Sequence, residues 1–438
     1  MPSLRVLLLL VALLATVALA APTPGKLVGR SFKVPRSINP ASKRQLNGMD
    51  AITKAYRKYK WGIIGAKRHH HGKKHGVKTP FSQGNATTPG NAAPSTAPAA
   101  ASNETGEVTA TPENNDALFL SPVKIGGQTL NMDFDTGSSD LWVFNTALSS
   151  AEIGGHTAFD PTKSSTFKAI DNAAFSISYG DGSDAAGTVG NDVVDIGGAT
   201  VTAQAVELAT AVSQSFVQDT NNDGLVGLAF SKLNTVTIGG TKTPQKTFFD
   251  NVMPSLAAPV FTVDLESDGT GTYEFGNIDT TRFAGPLAFV AVDSTNGFWQ
   301  FDSPGFTING KAQQNTGASP AIADTGTSLL LVDDAVATAY YAQVQGAVND
   351  PNSGGFVYPC NTTPPDFGVA IGANYVANVP GDQITFAPVD ATNTTCFGGV
   401  QSNGGSNLQI YGDTMFKSQF VVFNGGNQSL GFAPKAAK

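Results

Sequence analysis

Two segments of the chain carry the same motif, in which an aspartate begins a turn that contains glycine. Residues 135–143 read Asp-Thr-Gly-Ser-Ser-Asp-Leu-Trp-Val and residues 324–332 read Asp-Thr-Gly-Thr-Ser-Leu-Leu-Leu-Val, so six of nine positions are identical. Each copy follows an apolar segment with the character of a buried strand. A tight turn after such a strand presents its carboxylate at the lobe surface. Two related lobes would therefore bring Asp135 and Asp324 face to face.

A pair of facing carboxylates can work as an acid–base couple. At a separation of about 3 Å both cannot ionise, so the pair holds one shared proton, with one pKa low and one raised. A water molecule between them can lose a proton to the ionised aspartate while the protonated aspartate polarises a carbonyl group. The motif pair therefore predicts acyl cleavage without a covalent intermediate.

A second repeated element indicates that a whole lobe is duplicated. Residues 225–227 read Leu-Val-Gly and residues 410–412 read Ile-Tyr-Gly. From the motif aspartate to this glycine the chain runs 92 residues in the first copy and 88 in the second. Two such aspartate motifs arise by chance on the order of once in a thousand sequences of this composition. Matched spacing therefore favours two related lobes.

Composition and periodicity predict that strands position these motifs. Of 438 residues, 48 are Gly and 25 are Pro, and only 14% are charged, which favours short strands and tight turns. Apolar and polar side chains alternate at 130–134, 175–179 and 261–265, as in half-buried strands. We expect an all-β, β-dominated fold with few short helices, at Asp333–Gly346 and at Thr247–Met253.

The first twenty residues have the pattern of a secretory signal peptide. Arg5 precedes an apolar run at 6–17 and a small-residue cleavage site at 18–20, as such peptides require. An uncleaved membrane anchor is the alternative, because the run is long. We expect residues 1–20 to be removed and the protein to be secreted and extracellular, with no membrane partner.

Positive and negative charges are segregated along the rest of the chain. Residues 21–78 contain fifteen Lys and Arg against one acid, whereas residues 79–438 contain eleven against thirty-three. Behind a secretory signal a nucleic-acid tail is disfavoured. We interpret 21–78 as a basic inhibitory propeptide that leaves the acidic body as carboxylates become protonated; a solvated tail is the alternative.

The composition of residues 79–114 predicts a Pro/Ala/Thr-rich linker that contains or adjoins the maturation site. We expect an N-terminal lobe at 115–300 and a C-terminal lobe at 301–438 to follow it.

Other motifs bear on metals and on covalent modification. The histidines of the basic segment could bind metal, but a flexible run flanked by Gly and Lys offers no supporting partners, so we expect no metal and no cofactor. Cys360 and Cys396 are the only cysteines, and in an oxidising compartment they have only each other to pair with. Five Asn-x-Ser/Thr acceptors suit a secreted surface. They are Asn85, Asn103, Asn361, Asn393 and Asn427.

Over residues 115–438 the chain resembles the pepsin family of aspartic endopeptidases, and in particular its secreted fungal members. The resemblance rests on both aspartate motifs and on three further segments. Residues 178–183 read Ser-Tyr-Gly-Asp-Gly-Ser, residues 220–227 read Thr-Asn-Asn-Asp-Gly-Leu-Val-Gly, and residues 430–434 read Leu-Gly-Phe-Ala-Pro. The resemblance implies a bilobal fold with a substrate cleft between the lobes, and an acid endopeptidase made as a zymogen.

The resemblance also implies roles for individual residues. Asp135 and Asp324 would be the catalytic pair, and the residues of the two turns would support their carboxylates. Tyr179 would be the flap residue over the substrate, hydrogen-bonded to Trp142, and Lys58 with Tyr59 would block the pair in the zymogen, although Lys54 and Lys60 lie near. The supporting turn residues are Thr136 and Thr325, which would brace the two turns, the glycines Gly137 and Gly326, and the hydroxyl partners Ser138 and Thr327.

Several residues near these motifs are candidates for substrate selection. Strand periodicity places Asp133 on the same face as Asp135. Asp181 follows Gly180 on the flap, and in fungal relatives an acid there is associated with accepting Lys at P1 beside large apolar residues; solvated loop carboxylates are the alternative for Asp133 and Asp181. Two apolar residues are candidate walls of the S1 pocket, with core packing as their alternative. They are Phe216 and Leu225.

Two other classes of protein remain open on the sequence alone. Some pepsin-like chains are inactive and bind ligands with the same fold, but they usually lose a motif aspartate, a turn glycine or the flap tyrosine. A β-sandwich lectin or wall protein would explain the Gly and Thr content but not the paired aspartate motifs. We expect an enzyme acting as a monomer on protein or peptide substrates, with its own propeptide as a partner and no nucleic acid.

Overall fold

Strands make up most of the structure, as the turn-rich composition predicts. The computed structural model describes residues 47–59, 106–113, 118–179, 183–267 and 271–437. The helices in these ranges are few and short, which confirms the expected fold class. They are α1 (Gly48–Lys58), α2 (Ser150–Ile153), α3 (Gln214–Gln218), α4 (Phe248–Val252), α5 (Asp334–Tyr341) and α6 (Asp413–Phe416).

The strands are numbered in chain order, and most contain five residues or fewer. In the first half of the chain they are β1 (Gly106–Glu113), β2 (Leu118–Ile125), β3 (Gln128–Asp135), β4 (Leu141–Phe144), β5 (Lys168–Ser178), β6 (Asp184–Ile196), β7 (Ala199–Val212), β8 (Gly224–Gly227), β9 (Thr237–Ile238), β10 (Thr241–Lys242), β11 (Val260–Asp264) and β12 (Gly271–Phe275). In the second half they are β13 (Ala288–Ala291), β14 (Gln300–Phe301), β15 (Gly305–Ile308), β16 (Lys311–Gln314), β17 (Ala321–Ala323), β18 (Leu330–Val332), β19 (Val348–Asp350), β20 (Gly355–Pro359), β21 (Phe367–Ile371), β22 (Tyr375–Val379), β23 (Thr385–Pro388), β24 (Thr395–Gly398), β25 (Val400–Ser402), β26 (Gln409–Tyr411), β27 (Gln419–Asn424) and β28 (Ser429–Pro434).

One long sheet runs through the first lobe and continues into strands from the end of the chain. Its order is β10-β9-β5-β6-β7-β4-β8-β3-β2-β1-β12-β11-β27-β28-β13. The strands β1, β12, β11, β27, β28 and β13 thus join the first half of the chain to the C-terminal residues. Three smaller sheets complete the second lobe: β14-β17-β26-β18-β25, β16-β15-β21-β22 and β19-β20-β24-β23.

The same three-strand arrangement surrounds both aspartate motifs. In the first lobe β8 lies between β3 and β4, parallel to β3 and antiparallel to β4. In the second lobe β26 lies in the same way between β17 and β18. The repeated apolar-apolar-Gly segments are these central strands. In both lobes the central strand pairs with the strand before the motif turn and with the strand after it. This shared arrangement explains why each segment follows its aspartate by a similar number of residues.

The helix expected at Asp333–Gly346 is shorter in the structure. Helix α5 ends at Tyr341, and the chain continues through turns in which Gln343, Val344 and Ala347 each donate a backbone hydrogen bond to the residue three positions earlier. These tighter turns keep Val344 buried while directing the chain into β19. The expectation was therefore wrong at the C-terminal end, where apolar spacing alone does not distinguish a helix from successive turns. Helix α4 matches the second expected helix, with Thr247 as its N-cap.

The expected disulfide is confirmed, and it joins the end of β20 to β24. Cys360 and Cys396 are bonded, with their Cα atoms 5.0 Å apart. Three of the glycosylation acceptors, Asn361, Asn393 and Asn427, are exposed. Asn85, Asn103 and the histidine cluster at His69, His70, His71 and His75 lie outside the described residues.

No helix among the described residues combines the length and apolar character needed to cross a membrane.

Replacing both cysteines by serine should weaken the second lobe without changing its fold. The bond closes a segment of 36 residues, so its removal should lower the free energy of unfolding by about 3 to 4 kcal/mol. Urea denaturation of the Cys360→Ser/Cys396→Ser variant and the wild type, both without reductant, measures this difference. A loss below about 1 kcal/mol would show that the cross-link constrains little of the unfolded chain.

Candidate active site

The two motif aspartates occupy equivalent positions at the ends of β3 and β17. Asp135 is 1% exposed and Asp324 is fully buried. The Asp135 carboxylate accepts hydrogen bonds from Gly137 N at 2.8 Å and Ser138 Oγ at 2.6 Å. Asp324 accepts the matching bonds from Gly326 N at 3.0 Å and from Thr327 Oγ1 at 2.5 Å. Each turn therefore fixes its own carboxylate with one backbone and one hydroxyl donor.

The two turns also hold each other across the lobe boundary. Thr136 N donates to Thr325 Oγ1 at 3.1 Å, and Thr325 N donates to Thr136 Oγ1 at 3.0 Å. The Thr136 hydroxyl donates onward to Ala323 O at 2.9 Å, and the Thr325 hydroxyl donates onward to Phe134 O at 2.6 Å. All of these groups are buried, so each bond is protected from competition with water. The spacing of the two carboxylates is thus set by bonds that join one lobe to the other.

Glycine at the third motif position is required by the approach of the opposite carboxylate. A Cβ atom on Gly137 would lie 2.4 Å from Asp324 Oδ1, and a Cβ on Gly326 would lie 2.3 Å from Asp135 Oδ1. Carbon and oxygen atoms without a bond between them do not approach so closely. The side-chain-free residues therefore admit the facing aspartate, and they do so reciprocally.

Lys58, the last residue of helix α1, lies between the two aspartates. Its Nζ atom is 2.7 Å from Asp135 Oδ1 and 2.9 and 3.0 Å from the two oxygens of Asp324. The next residue, Tyr59, donates its hydroxyl to Asp324 Oδ2 at 2.7 Å. The ring of Tyr59 packs edge-on against Phe298, with centroids 5.8 Å apart. Together the two side chains occupy the space in front of both carboxylates.

The ammonium group of Lys58 and the burial of the site give the two aspartates different proton affinities. Burial raises the pKa of Asp135, and Asp324 adds to that effect against the attraction of Lys58. Burial also acts on Asp324, but there the charge of Lys58 and the hydroxyls of Thr327 and Tyr59 outweigh it and hold the pKa down to about 2. Burial would lower the pKa of Lys58, yet the two carboxylates raise it above its ordinary value. Lys58 therefore remains charged in this arrangement.

Docking of helix α1 on the second lobe places Lys58. Asn47 caps the helix by accepting a bond from Met49 N at 3.0 Å. Ile52 and Tyr56 are buried on one side of the helix, in a cluster that includes Leu331, Val357 and Phe397. The Tyr56 hydroxyl donates to Ser402 O at 2.7 Å. Packing of this apolar face fixes the position of the helix, so that Lys58 at its C-terminal end reaches the aspartates rather than Lys54, which lies one turn earlier on the same face.

The predicted flap tyrosine, Tyr179, packs with two other aromatic side chains. Trp142 Nε1 donates to the Tyr179 hydroxyl at 2.8 Å. The half-buried ring of Phe216 packs against Trp142 and Tyr179, with centroid distances of 4.8 and 5.6 Å. Leu225 is 5% exposed and lies in the core beneath these rings. Gly180 and Asp181, which the sequence predicts to lie on the flap, are outside the described residues.

Asp133 is buried on β3, two residues before Asp135. Burial raises its pKa to about 7, against the attraction of Lys54 and with a contribution from Asp135. Lys54 lies one turn before Lys58 on α1, so Asp133 is attracted electrostatically by the same helix that places Lys58 at the aspartates. It is therefore not a solvated carboxylate in this structure, and below neutral pH it is protonated.

The sequence did not point to two residues near the aspartates. Phe298 precedes Trp299 in a turn and carries no pattern that would single it out. Asp413 follows the repeated glycine Gly412 and is 1% exposed; burial raises its pKa well above the ordinary range, with opposition from Lys417 and a contribution from Asp133. The position next to the second repeated segment was the available signal for Asp413.

Comparison with known proteins agrees with this geometry. A family model described as eukaryotic aspartyl protease matches residues 119–435. A protein named as an aspergillopepsin A-like aspartic endopeptidase from Aspergillus fumigatus is 49% identical over 423 residues, covering 94% of this chain and 95% of that protein. Penicillopepsin-1 from Talaromyces stipitatus is 50% identical, covering 78% of this chain and 84% of that protein. Aspergillopepsin-1 from Aspergillus oryzae is 50% identical, covering 76% and 80%.

Removing the charge of Lys58 should destabilise the full chain at neutral pH. The Lys58→Met variant leaves two buried carboxylates without their counter-ion, so the free energy of unfolding should fall by about 3 kcal/mol or more. Calorimetric unfolding at neutral pH, with the chain mass checked before and after, measures the loss.

Lys163→Met is the matched control for this variant. Lys163 is 72% exposed and pairs with Asp160 on the surface, so its loss should change the free energy of unfolding by less than about 1 kcal/mol. Equal effects of the two substitutions would contradict the placement of Lys58 at the buried aspartates.

Proposed function

The chain belongs to the eukaryotic aspartyl protease family and is a pepsin-like aspartic endopeptidase, and we propose that it is made as a secreted zymogen activated by acid. The observation that carries the proposal is the buried group in which Lys58 Nζ contacts both Asp135 and Asp324. A protease with its two carboxylates tied to its own N-terminal segment is inhibited until that segment leaves. The signal-like residues 1–20 support secretion to the extracellular space.

In the mature enzyme the two aspartates share one proton once Lys58 has left. The ionised carboxylate removes a proton from a water molecule, whose oxygen attacks the peptide carbonyl carbon, while the protonated carboxyl gives its proton to the carbonyl oxygen. The resulting tetrahedral gem-diol collapses when its C–N bond breaks: the carboxyl group that took the water proton gives it to the amine nitrogen, and one diol hydroxyl gives its proton to the other carboxylate as the carbonyl re-forms. The hydroxyls of Ser138 and Thr327 hold the two carboxylates in place throughout.

Acid weakens the binding of helix α1 to the rest of the protein in two steps. Asp133 has its pKa raised to about 7, so its attraction for Lys54 is present above neutral pH and is lost as the pH falls through that value. Asp324 has its pKa lowered to about 2, so its contribution to binding Lys58 is present above the ordinary carboxyl pKa of about 4 and is lost only as the pH falls toward 2. Release of the propeptide should therefore begin near the flanking carboxylate and end at the catalytic pair.

Phe216 supports a preference for large apolar residues at P1. Its half-buried ring, packed against Trp142 and Tyr179, presents an apolar surface that an aromatic or long aliphatic side chain can cover. Asp181 on the flap supports an additional tolerance of Lys at P1, because a carboxylate there can pair with an ammonium group in an otherwise apolar pocket. Protein and peptide chains are the substrate class.

Replacing either catalytic aspartate by asparagine should abolish proteolysis while preserving the fold. Asp135→Asn and Asp324→Asn each remove one partner of the acid–base couple, so cleavage of denatured protein should fall by about a thousandfold or more. The rate is measured at about pH 3.5, where a shared-proton pair is active, and pepstatin should block the wild type.

Asp171→Asn provides the control, because Asp171 is an exposed carboxylate on β5. Its activity should match the wild type. Aspartate variants that retain activity within about tenfold would place catalysis elsewhere. A wild type that binds peptides but never cleaves them would instead favour the inactive, ligand-binding class.

Replacing Asp181 by serine should narrow specificity. The variant loses the partner for a P1 ammonium group, so kcat/KM for a Lys substrate relative to its Phe analogue should fall by about tenfold. The two substrates are compared in one competition assay, with Asp171→Ser as the control. An unchanged ratio would remove Asp181 from the specificity pocket.

A further inference from the structure

The first lobe contains a second pair of buried carboxyl groups outside the cleft. Asp140 precedes β4, and Glu207 lies on β7; each is 1% exposed. The two strands are parallel, and Glu207 pairs in register with Trp142. Asp140 is two residues before Trp142, so by strand alternation both acids and the indole belong to one face of the sheet.

In the part of the chain that the structure describes, hydrogen-bond donors reach only one oxygen of each carboxyl group. Thr235 donates to Asp140 Oδ1 from its backbone N at 2.9 Å and its Oγ1 at 2.7 Å. Asn234 Nδ2 donates to Glu207 Oε1 at 2.9 Å and lies 3.4 Å from Asp140 Oδ1. Among the described residues neither Asp140 Oδ2 nor Glu207 Oε2 has a donor. Because Asn234 Nδ2 lies within 3.4 Å of both carboxyl groups, the two side chains are neighbours, and one proton held between them would give these oxygens the donor that they lack.

The charges facing the pair favour retention of that proton. Burial raises the pKa of Asp140 against the bonds from Thr235, with a small opposing attraction from Lys242 on β10. Burial raises the pKa of Glu207 well above its ordinary value, and the charge of Asp140 adds to the effect. Tyr179 also faces both acids together with Asp135. Lys242 is exposed, so it cannot replace the proton as a counter-charge at close range.

We propose that Asp140 and Glu207 form a second proton-sharing carboxyl pair, which positions Trp142 and Tyr179 and sets the upper pH limit of the enzyme. The inference rests on the proposed role of Tyr179 as the flap residue. Trp142 and Tyr179 pack in one cluster with the β7 residues Ala205 and Ala209, which flank Glu207. Loss of the shared proton leaves two negative charges beneath that cluster. The repulsion separates β4 from β7 and displaces the indole that holds the Tyr179 hydroxyl.

The sign of the pH effect follows from the proton count. The folded pair retains a proton that the unfolded chain loses near the ordinary carboxyl pKa of about 4. Its stabilising contribution is therefore complete below that pH and is lost as the pH rises through the higher folded value. The first lobe should lose stability toward neutral pH, and the support of the flap should be lost with it.

Single amide substitutions provide the test. In Glu207→Gln the side-chain nitrogen donates permanently to Asp140 Oδ2, while Oε1 still accepts from Asn234. In Asp140→Asn the nitrogen donates to Glu207 Oε2, while Oδ1 still accepts from Thr235. Each variant should move the alkaline midpoints of kcat/KM and of thermal inactivation upward by about one pH unit. The double variant turns two NH2 groups toward each other, so the gain should disappear.

Glu274→Gln on β12 is the matched control. Glu274 is also a buried glutamate whose pKa burial raises, but it bonds to Asn277 in the sheet shared by the two halves of the chain. It should leave the alkaline midpoint of kcat/KM unchanged. Equal shifts from Glu274→Gln, or no shift from either single variant, would overturn the proposal.

Thermal unfolding of the full chain in an Asp135→Asn background separates this inference from the proposed function. That background cannot digest itself, so the pH dependence of unfolding is read without catalysis. Glu207→Gln should raise the unfolding temperature at neutral pH but not at about pH 4. An unfolding shift without a shift in kcat/KM would overturn the link to the flap. Activity retained by Asp135→Asn itself would refute the proposed catalytic pair and leave the unfolding result unaffected.

Discussion

An ammonium ion held between two buried carboxylates is the interaction on which the rest of this structure depends. Lys58 contacts Asp135 and Asp324 within 3.0 Å, in a site from which water is largely excluded. Removing one partner of such a group leaves charge buried without compensation, at a cost of about 3 to 5 kcal/mol. The paired glycines and the threonine brace bring the carboxylates together, and helix α1 supplies the charge that makes their proximity tolerable at neutral pH.

The sequence was sufficient to predict the features that the lobe duplication repeats. The strand before each aspartate, the turn glycine, the hydroxyl partner and the central apolar-Gly strand all recur, so a comparison of the chain with itself located them. Choosing Lys58 from neighbouring lysines required more, because the position of α1 along the site is set by contacts of Ile52 and Tyr56 with residues about 300 positions away. Phe298 and the Asp140–Glu207 pair were missed for the same reason: their partners are distant in sequence and follow no period.

Buried acids with raised pKa values recur in this protein and suit it to acid. Asp133, Glu207 and Asp413 each remain protonated above the ordinary carboxyl range because burial disfavours their charged form. The folded state is destabilised at pH values at which these buried groups must ionise, so the free energy of unfolding falls as the pH rises. Helix α1 opposes this trend at Asp133 and Asp413, because the charge of Lys54 favours their ionised forms. Removal of the proposed propeptide at low pH would therefore coincide with conditions in which these acids are protonated and no longer need that charge.

The most direct test of whether Lys58 blocks the catalytic aspartates follows the mass and the activity of the full chain together. The chain is held at neutral pH and then brought to about pH 3.5, while hydrolysis of a fluorogenic peptide and the mass of the protein are recorded at each time. We predict an intact, inactive chain at neutral pH, and activity in acid that rises only as molecules lacking Lys58 accumulate. Full activity from intact chains that still carry Lys58 would contradict this prediction.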